Sequence, residues 1–133
     1  MIFEIEPVEQ ARPRAAHIGR RIIMYDPEKV KNFKKGLHQL AKMSYKDDPL
    51  DGQLEVDVWF YRQVQKSLSK IERARRLSGE HRPTVKPDLD NYIKSTLDAL
   101  NGILWTDDAR IVDLHAHKYY SDRPRIEITV REL

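Results

Sequence analysis

The chain has 133 residues, 40% apolar and 34% charged, with 24 basic and 21 acidic residues for a formal net charge of +3. That length supplies one domain with its own core, while 5 Gly and 7 Pro without a repeat exclude collagen-like and low-complexity chains. The absence of cysteine excludes disulfides, thiolate zinc sites and thiol nucleophiles, and no apolar run reaches the roughly 18 residues of a membrane span.

Met1–Glu6 alternates as a short strand, with Phe3 and Ile5 on one side and no secretory pattern, so the expected location is cytoplasmic. Pro7–Gly19 reads as a loop and Arg20–Tyr25 as a strand. Asp26-Pro27-Glu28 is a helix start, with Asp26 as the N-cap. Val30, Phe33, Leu37, Leu40 and Ala41 then fall on one helical face as far as about Ser44. Turn signals fill Lys46–Gly52, and Gln53–Tyr61 alternates as a half-buried strand. Residues 62–86 hold eight basic residues against Glu72 and Glu80, which leaves the rest of the chain mildly acidic. Helical capacity exists around Ser67–Arg76, but Gly79, Pro83 and Pro87 break it, so a mobile basic excursion suited to a polyanion is expected. A second helix is predicted over Leu89–Leu100, ending at Asn101-Gly102, followed by strands at Ile111–Tyr119 and Arg125–Arg131. The expected fold is α+β: a single domain with one mixed sheet of four to five strands covered by two main helices.

The informative stretch is Lys86-Pro87-Asp88-Leu89-Asp90-Asn91-Tyr92-Ile93-Lys94. An extended entry into the helix points residues two apart the same way, so Asp88 and Asp90 can converge at its mouth. Lys94 lies one turn beyond Asp90, and Asp98 one turn further along the same shoulder. A second acidic pair, Asp107-Asp108, lies between this helix and the next strand. Taken singly, an aspartate at a helix start is ordinarily a cap and Asp-Asp a turn. Taken together, such carboxylates suit Mg²⁺, a hard cation that keeps waters for a phosphate to displace. Carboxylates beside a lysine are the equipment of phosphodiester hydrolysis. His115 and His117 share one side of a strand, with no further histidine nearby in sequence, and read as surface residues.

The ordered combination Asp88-Leu89-Asp90-Asn91, Lys94, Asp98-Ala99-Leu100-Asn101-Gly102 and Trp105-Thr106-Asp107-Asp108 resembles the RusA-type Holliday junction resolvases, endodeoxyribonucleases of bacteria and their prophages. The match is dense over residues 86–130 and looser before them. The resemblance implies an α+β homodimer that resolves four-way DNA junctions by paired symmetric nicks in recombination and repair. It implies Mg²⁺ as cofactor, with Mn²⁺ able to replace it. It matches Asp88, Asp90 and Asp108 to the metal-binding catalytic aspartates and Lys94 to the catalytic lysine. The basic stretch resembles a Ser/Lys-rich loop of such enzymes, but Leu68 stands where relatives often carry tryptophan, which leaves phosphate contacts rather than base stacking. The expected DNA-binding residues are Lys66, Lys70, Arg73, Arg75, Arg76, Arg82 and Lys86. The rival readings are a non-catalytic nucleic-acid-binding protein and a phage regulatory protein on a nuclease-like fold.

Overall fold

The computed structural model describes residues 1–133. In chain order the elements are β1 (Ile2–Phe3), β2 (Arg14–Ile18), β3 (Arg21–Tyr25), α1 (Glu28–Ser44), β4 (Leu54–Gln63), α2 (Lys70–Leu77), α3 (Leu89–Leu100), β5 (Ile111–Ser121) and β6 (Arg125–Glu132), with a 3₁₀ turn at Asp108–Arg110 before β5. Four strands form one mixed sheet in the order β1-β6-β4-β5, in which β4 runs parallel to β5 and antiparallel to β6. A separate two-stranded hairpin pairs β2 with β3. The fold is α+β, as the element pattern predicts.

The core forms because β4 alternates. Leu54, Val56, Val58 and Phe60 are fully buried on one face, while Glu55, Asp57, Trp59 and Tyr61 are only partly covered on the other. Ile126 and Ile128 of the neighbouring β6 extend that face, opposite Phe60 and Val58, and Phe33, Leu37 and Ala41 of α1 with Leu97 and Leu100 of α3 complete the core. The open face carries stacked aromatic pairs instead: Trp59 on His117 at 5.4 Å and Tyr61 on Tyr119 at 5.7 Å between ring centroids.

A parallel pair needs a long crossover, and here it runs from the end of β4 through α2 and α3 to the start of β5. The most chemically loaded segment of the sequence is therefore this crossover. The C-terminal strands do not pair with each other. Asp122–Pro124 carries the chain across the end of β4, so β5 and β6 flank it, a span of two strand spacings, roughly 10 Å.

Three local expectations change. Arg14–Ile18, read as loop, is strand β2. Its run of Ala15, Ala16 and His17 carries no β-branched signal, and pairing with β3 through the Gly19-Arg20 turn makes it a strand. Gly19 has φ +61°, which suits the first position of a two-residue hairpin turn. Asp26 does not cap α1; the residue before the helix is Pro27, and the Asp26 carboxylate instead accepts from Lys34 Nζ at 2.9 Å and Gln10 Nε2 at 3.0 Å. The basic stretch begins inside β4 and contains α2, whose N-cap Ser69 accepts from the Glu72 amide at 3.2 Å.

Candidate active site

Helix α3 buries Tyr92, Ser95, Thr96, Leu97, Ala99 and Leu100 and leaves Asp90, Lys94 and Asp98 exposed in a row. Four-residue spacing on a 3.6-residue turn makes that row. The N-terminal segment lies along the same helix. The Ser95 hydroxyl, fully buried, donates to the Val8 carbonyl at 2.6 Å, and the Gln10 amide donates to the Asn91 carbonyl at 2.9 Å. This contact brings Gln10, Ala11, Arg12 and Pro13 to one wall of a cavity of about 790 Å³, whose other walls include Lys34, Lys86, Asn91, Lys94, Asp98 and Asp108. Four basic side chains, those of Arg12, Lys34, Lys86 and Lys94, thus face two carboxylates. A cleft of that balance attracts an anion.

Asp108 reaches the cavity through a built turn. Asn101 Oδ1 accepts from the indole Nε1 of the fully buried Trp105 at 2.8 Å and from the Asp108 amide at 2.9 Å. Gly102, at φ +81°, lets the chain leave α3 and turn back at that point. Asp107 serves the turn itself, its carboxylate accepting from the Ala109 amide at 3.4 Å. Burial pushes the Asp108 carboxyl above the ordinary aspartate value, and its hydrogen bond with Asp107 and the charges of Asp107 and Asp98 add to the shift. Asp98 also accepts from Lys34 Nζ at 2.7 Å.

The start of α3 is held from the sheet. Lys118 of β5 donates to the carbonyls of Val85 at 3.0 Å and Pro87 at 2.9 Å, and Arg62 of β4 donates to that of Lys86 at 3.0 Å. Burial, then the charge of Arg62, pushes Lys118 below the usual lysine range, with Asp88 opposing. Asp88 occupies the N-cap position of α3, yet its side chain makes no capping hydrogen bond. The ordinary structural use of an aspartate at that place is therefore not made here.

The predicted acidic residues fall into two groups. Asp88 and Asp90 stand at the first turn of α3, whereas Asp108 lies beside Asp98. From Asp90 to Asp98 is about 12 Å along the helix axis. No three histidine, aspartate or glutamate side chains converge closely enough to hold a metal ion. Lys94, one turn beyond Asp90 and one before Asp98, lines the cavity with Asp98 and Asp108, whereas Asp88 and Asp90 are not part of its lining. Sequence reasoning leaves the role of Asp98 open and misses Lys34, Arg12 and Asn101. The four-residue spacing from Lys94 is the available signal for Asp98. Lys34 gives no local signal, since its partner is 64 positions away.

The expected DNA-binding residues also divide. Lys66, Lys70 and Arg75 are exposed around α2, and Lys86 lines the cavity. Arg76 instead pairs with Glu72 at 2.9 Å, donates to Gln65 Oε1 at 2.7 Å and lies 4.7 Å over the Tyr120 ring. Arg82 donates to the Lys118 carbonyl at 3.1 Å and stacks 4.1 Å over Tyr119, and Arg73 reaches the Gln65 carbonyl at 3.4 Å.

Comparison with known proteins identifies the family. The family described as Endodeoxyribonuclease RusA matches residues 4–131. The chain belongs to the RusA endodeoxyribonuclease family. It is also similar to the uncharacterized protein YqaN of Bacillus subtilis (strain 168), with 40% identity over 130 residues, covering 96% of this chain and 92% of that protein. No helix is long and apolar enough to cross a membrane.

Proposed function

We propose that this chain is a Mg²⁺-dependent endonuclease that resolves four-way DNA junctions as a homodimer, in recombination and repair of bacterial or prophage DNA. The observation that carries the reading beyond family membership is the α3 cleft, lined together by Lys94, Asp98 and Asp108 and by Arg12, Lys34 and Lys86. The donor chemistry suits a hard divalent cation: carboxylates only, with no sulfur or imidazole among them, and Asp108 already disfavoured as an anion by burial and its acidic neighbours. Asp88, Asp90 and Asp108 are the proposed ligands. Because they fall into two groups in one chain, the reading requires them to be drawn together when the working complex forms. A cation so held would supply Lewis acidity at phosphorus and lower the pKa of an attacking water.

The chain's own residues do the rest. Arg12 and Lys86 hold the phosphates flanking the scissile one as charge-assisted contacts. Lys94 donates to a non-bridging oxygen and strengthens that contact as charge builds in the transition state. In-line attack then breaks the bond to the 3′ oxygen and leaves 3′-hydroxyl and 5′-phosphate ends. A two-fold dimer would present two such clefts to two equivalent strands.

The test incubates end-labelled four-way junction, linear duplex and single strand with and without Mg²⁺. Junction cleavage that needs Mg²⁺ is expected. Asp88→Asn, Asp90→Asn and Asp108→Asn should each abolish it while junction binding persists. Lys94→Ala should slow cleavage by roughly 10²–10³ without altering the Mg²⁺ requirement. Junction binding without cleavage at any Mg²⁺ concentration would instead identify a non-catalytic DNA-binding protein.

A further inference from the structure

The β2–β3 hairpin is built unlike anything else in the molecule. Its strands pack on each other and make no substantial contact with another strand or helix. A lone two-stranded hairpin is marginal in water unless something packs on it. Yet Ile18, Ile22 and Met24 are each more than 60% exposed, and Ile23 and Tyr25 more than 40%. The register places Ile18, Ile23 and Tyr25 on one face and Ile22 and Met24 on the other. A ribbon meant to lie on a flat partner needs one apolar face and can leave the other polar. This ribbon is apolar on both.

Its charge selects the partner. Residues 12–25 contain Arg12, Arg14, Arg20 and Arg21 and no acidic residue. Two copies of this ribbon laid together would crowd arginines without a counter-charge, whereas a polyanion meets them favourably. The root of the ribbon is also fixed to the cleft. Arg12 and Pro13 line it, and Asp26, just beyond β3, is tied by Lys34 to Asp98 of α3.

We propose that the hairpin is a DNA wedge. Its arginines grip the phosphates of converging arms, and Ile18 and Ile22, beside the Gly19-Arg20 turn, enter the branch point and unstack the bases there. Apolar side chains inserted between base steps in this way are an established means of deforming DNA. The inference rests on the junction-resolving reading above and adds the element that would recognise the branch.

The experiment uses a four-way junction carrying 2-aminopurine at the branch point and a linear duplex of the same arm sequence, both in EDTA so that no cleavage intervenes. Wild-type protein should raise the 2-aminopurine fluorescence of the junction and leave that of the duplex unchanged. Ile18→Ser/Ile22→Ser should lose that rise and weaken junction binding roughly tenfold with duplex binding nearly unchanged. Ile18→Leu/Ile22→Leu should restore both. An unaltered thermal midpoint in the serine variant is expected, since these side chains touch no core. A serine variant that keeps the fluorescence rise and the junction affinity of wild type overturns the wedge alone. So does one that keeps the rise but sediments at half the wild-type mass, which would make the hairpin a contact between copies. Wild-type protein that neither prefers the junction nor raises its fluorescence removes the junction-resolving reading together with the wedge.

Discussion

Asn101 does the work of two residues. Its side-chain oxygen holds the Trp105 indole and the Asp108 amide at once, so the position of a candidate metal ligand is coupled to a fully buried ring. Removing a partner from a buried donor costs more than the bond itself contributes, because the orphaned group stays desolvated. Asn101→Ala should therefore lower unfolding free energy by about 1–3 kcal/mol. It should also slow junction cleavage by roughly 10- to 100-fold at saturating substrate, since Asp108 loses its anchor. Thermal unfolding and single-turnover cleavage measure the two effects. A variant with lowered stability and wild-type turnover would confine Asn101 to holding the turn.

At the scale of the element, α2 separates charges that the sequence presents as one block. Lys66, Lys70 and Arg75 are exposed, whereas Arg76 is engaged with Glu72, Gln65 and Tyr120. Replacing Lys66, Lys70 and Arg75 together by Gln should weaken binding to junction and duplex alike, because phosphate contacts carry affinity without sequence information. It should flatten the log–log salt dependence by roughly one unit for each phosphate that is no longer neutralised. Arg76→Gln should act on stability instead, with little change in salt slope. Dissociation constants at several salt concentrations distinguish the two variants. Identical slopes for wild type and the three-site variant would leave the basic run without a role on DNA.

Across the whole molecule, Lys34 joins the hairpin root, α1 and α3, lying 2.9 Å from Asp26 and 2.7 Å from Asp98. The Lys34 hydrogen bond holds the Asp26 carboxyl below its ordinary value against the opposing effect of burial, with Gln10 assisting. Burial opposes the charge of Lys34, but its bonds to Asp26 and Asp98 outweigh this and raise it above the usual lysine value. The signs define a window. Asp26 contributes stability above the ordinary carboxylate pKa near 4 and loses it as pH falls through the lower folded value. Lys34 contributes below the ordinary lysine value near 10.4 and loses its share as pH rises through the higher folded one. Asp26→Asn should cost about 1 kcal/mol between roughly pH 5 and 9, a gap that closes below roughly pH 4. Denaturant titrations across that range measure it. A gap that persists undiminished at pH 3 would show that packing, not charge, is removed by the substitution.

Short-range periodicity accounts for what is legible in the chain without its fold. The alternation of β4 decided which of its faces is buried, and the 3.6-residue rhythm of α1 and α3 decided theirs. The four-residue spacing of Asp90, Lys94 and Asp98 is enough to place all three on one exposed ridge of a helix. The ordered aspartates, lysine and tryptophan also sufficed for the family. Strand β2 was illegible because its residues have little strand preference of their own and become a strand only through β3. Tertiary structure alone decided that Asp26 serves Lys34 rather than a helix end, that Arg12 lines one cavity with Lys94 and Asp98 of α3, and that Lys118 holds the entry to Asp88. Each of these pairs a charged or polar group with a partner whose identity depends on the path of the chain between them. The same path sets Asp108 beside Asp98 and leaves Asp88 and Asp90 about two helical turns away. The rise of α3 sets Asp90 apart from Asp98, but spacing along the chain could not reveal that the turn held by Asn101 brings Asp108 to the Asp98 end.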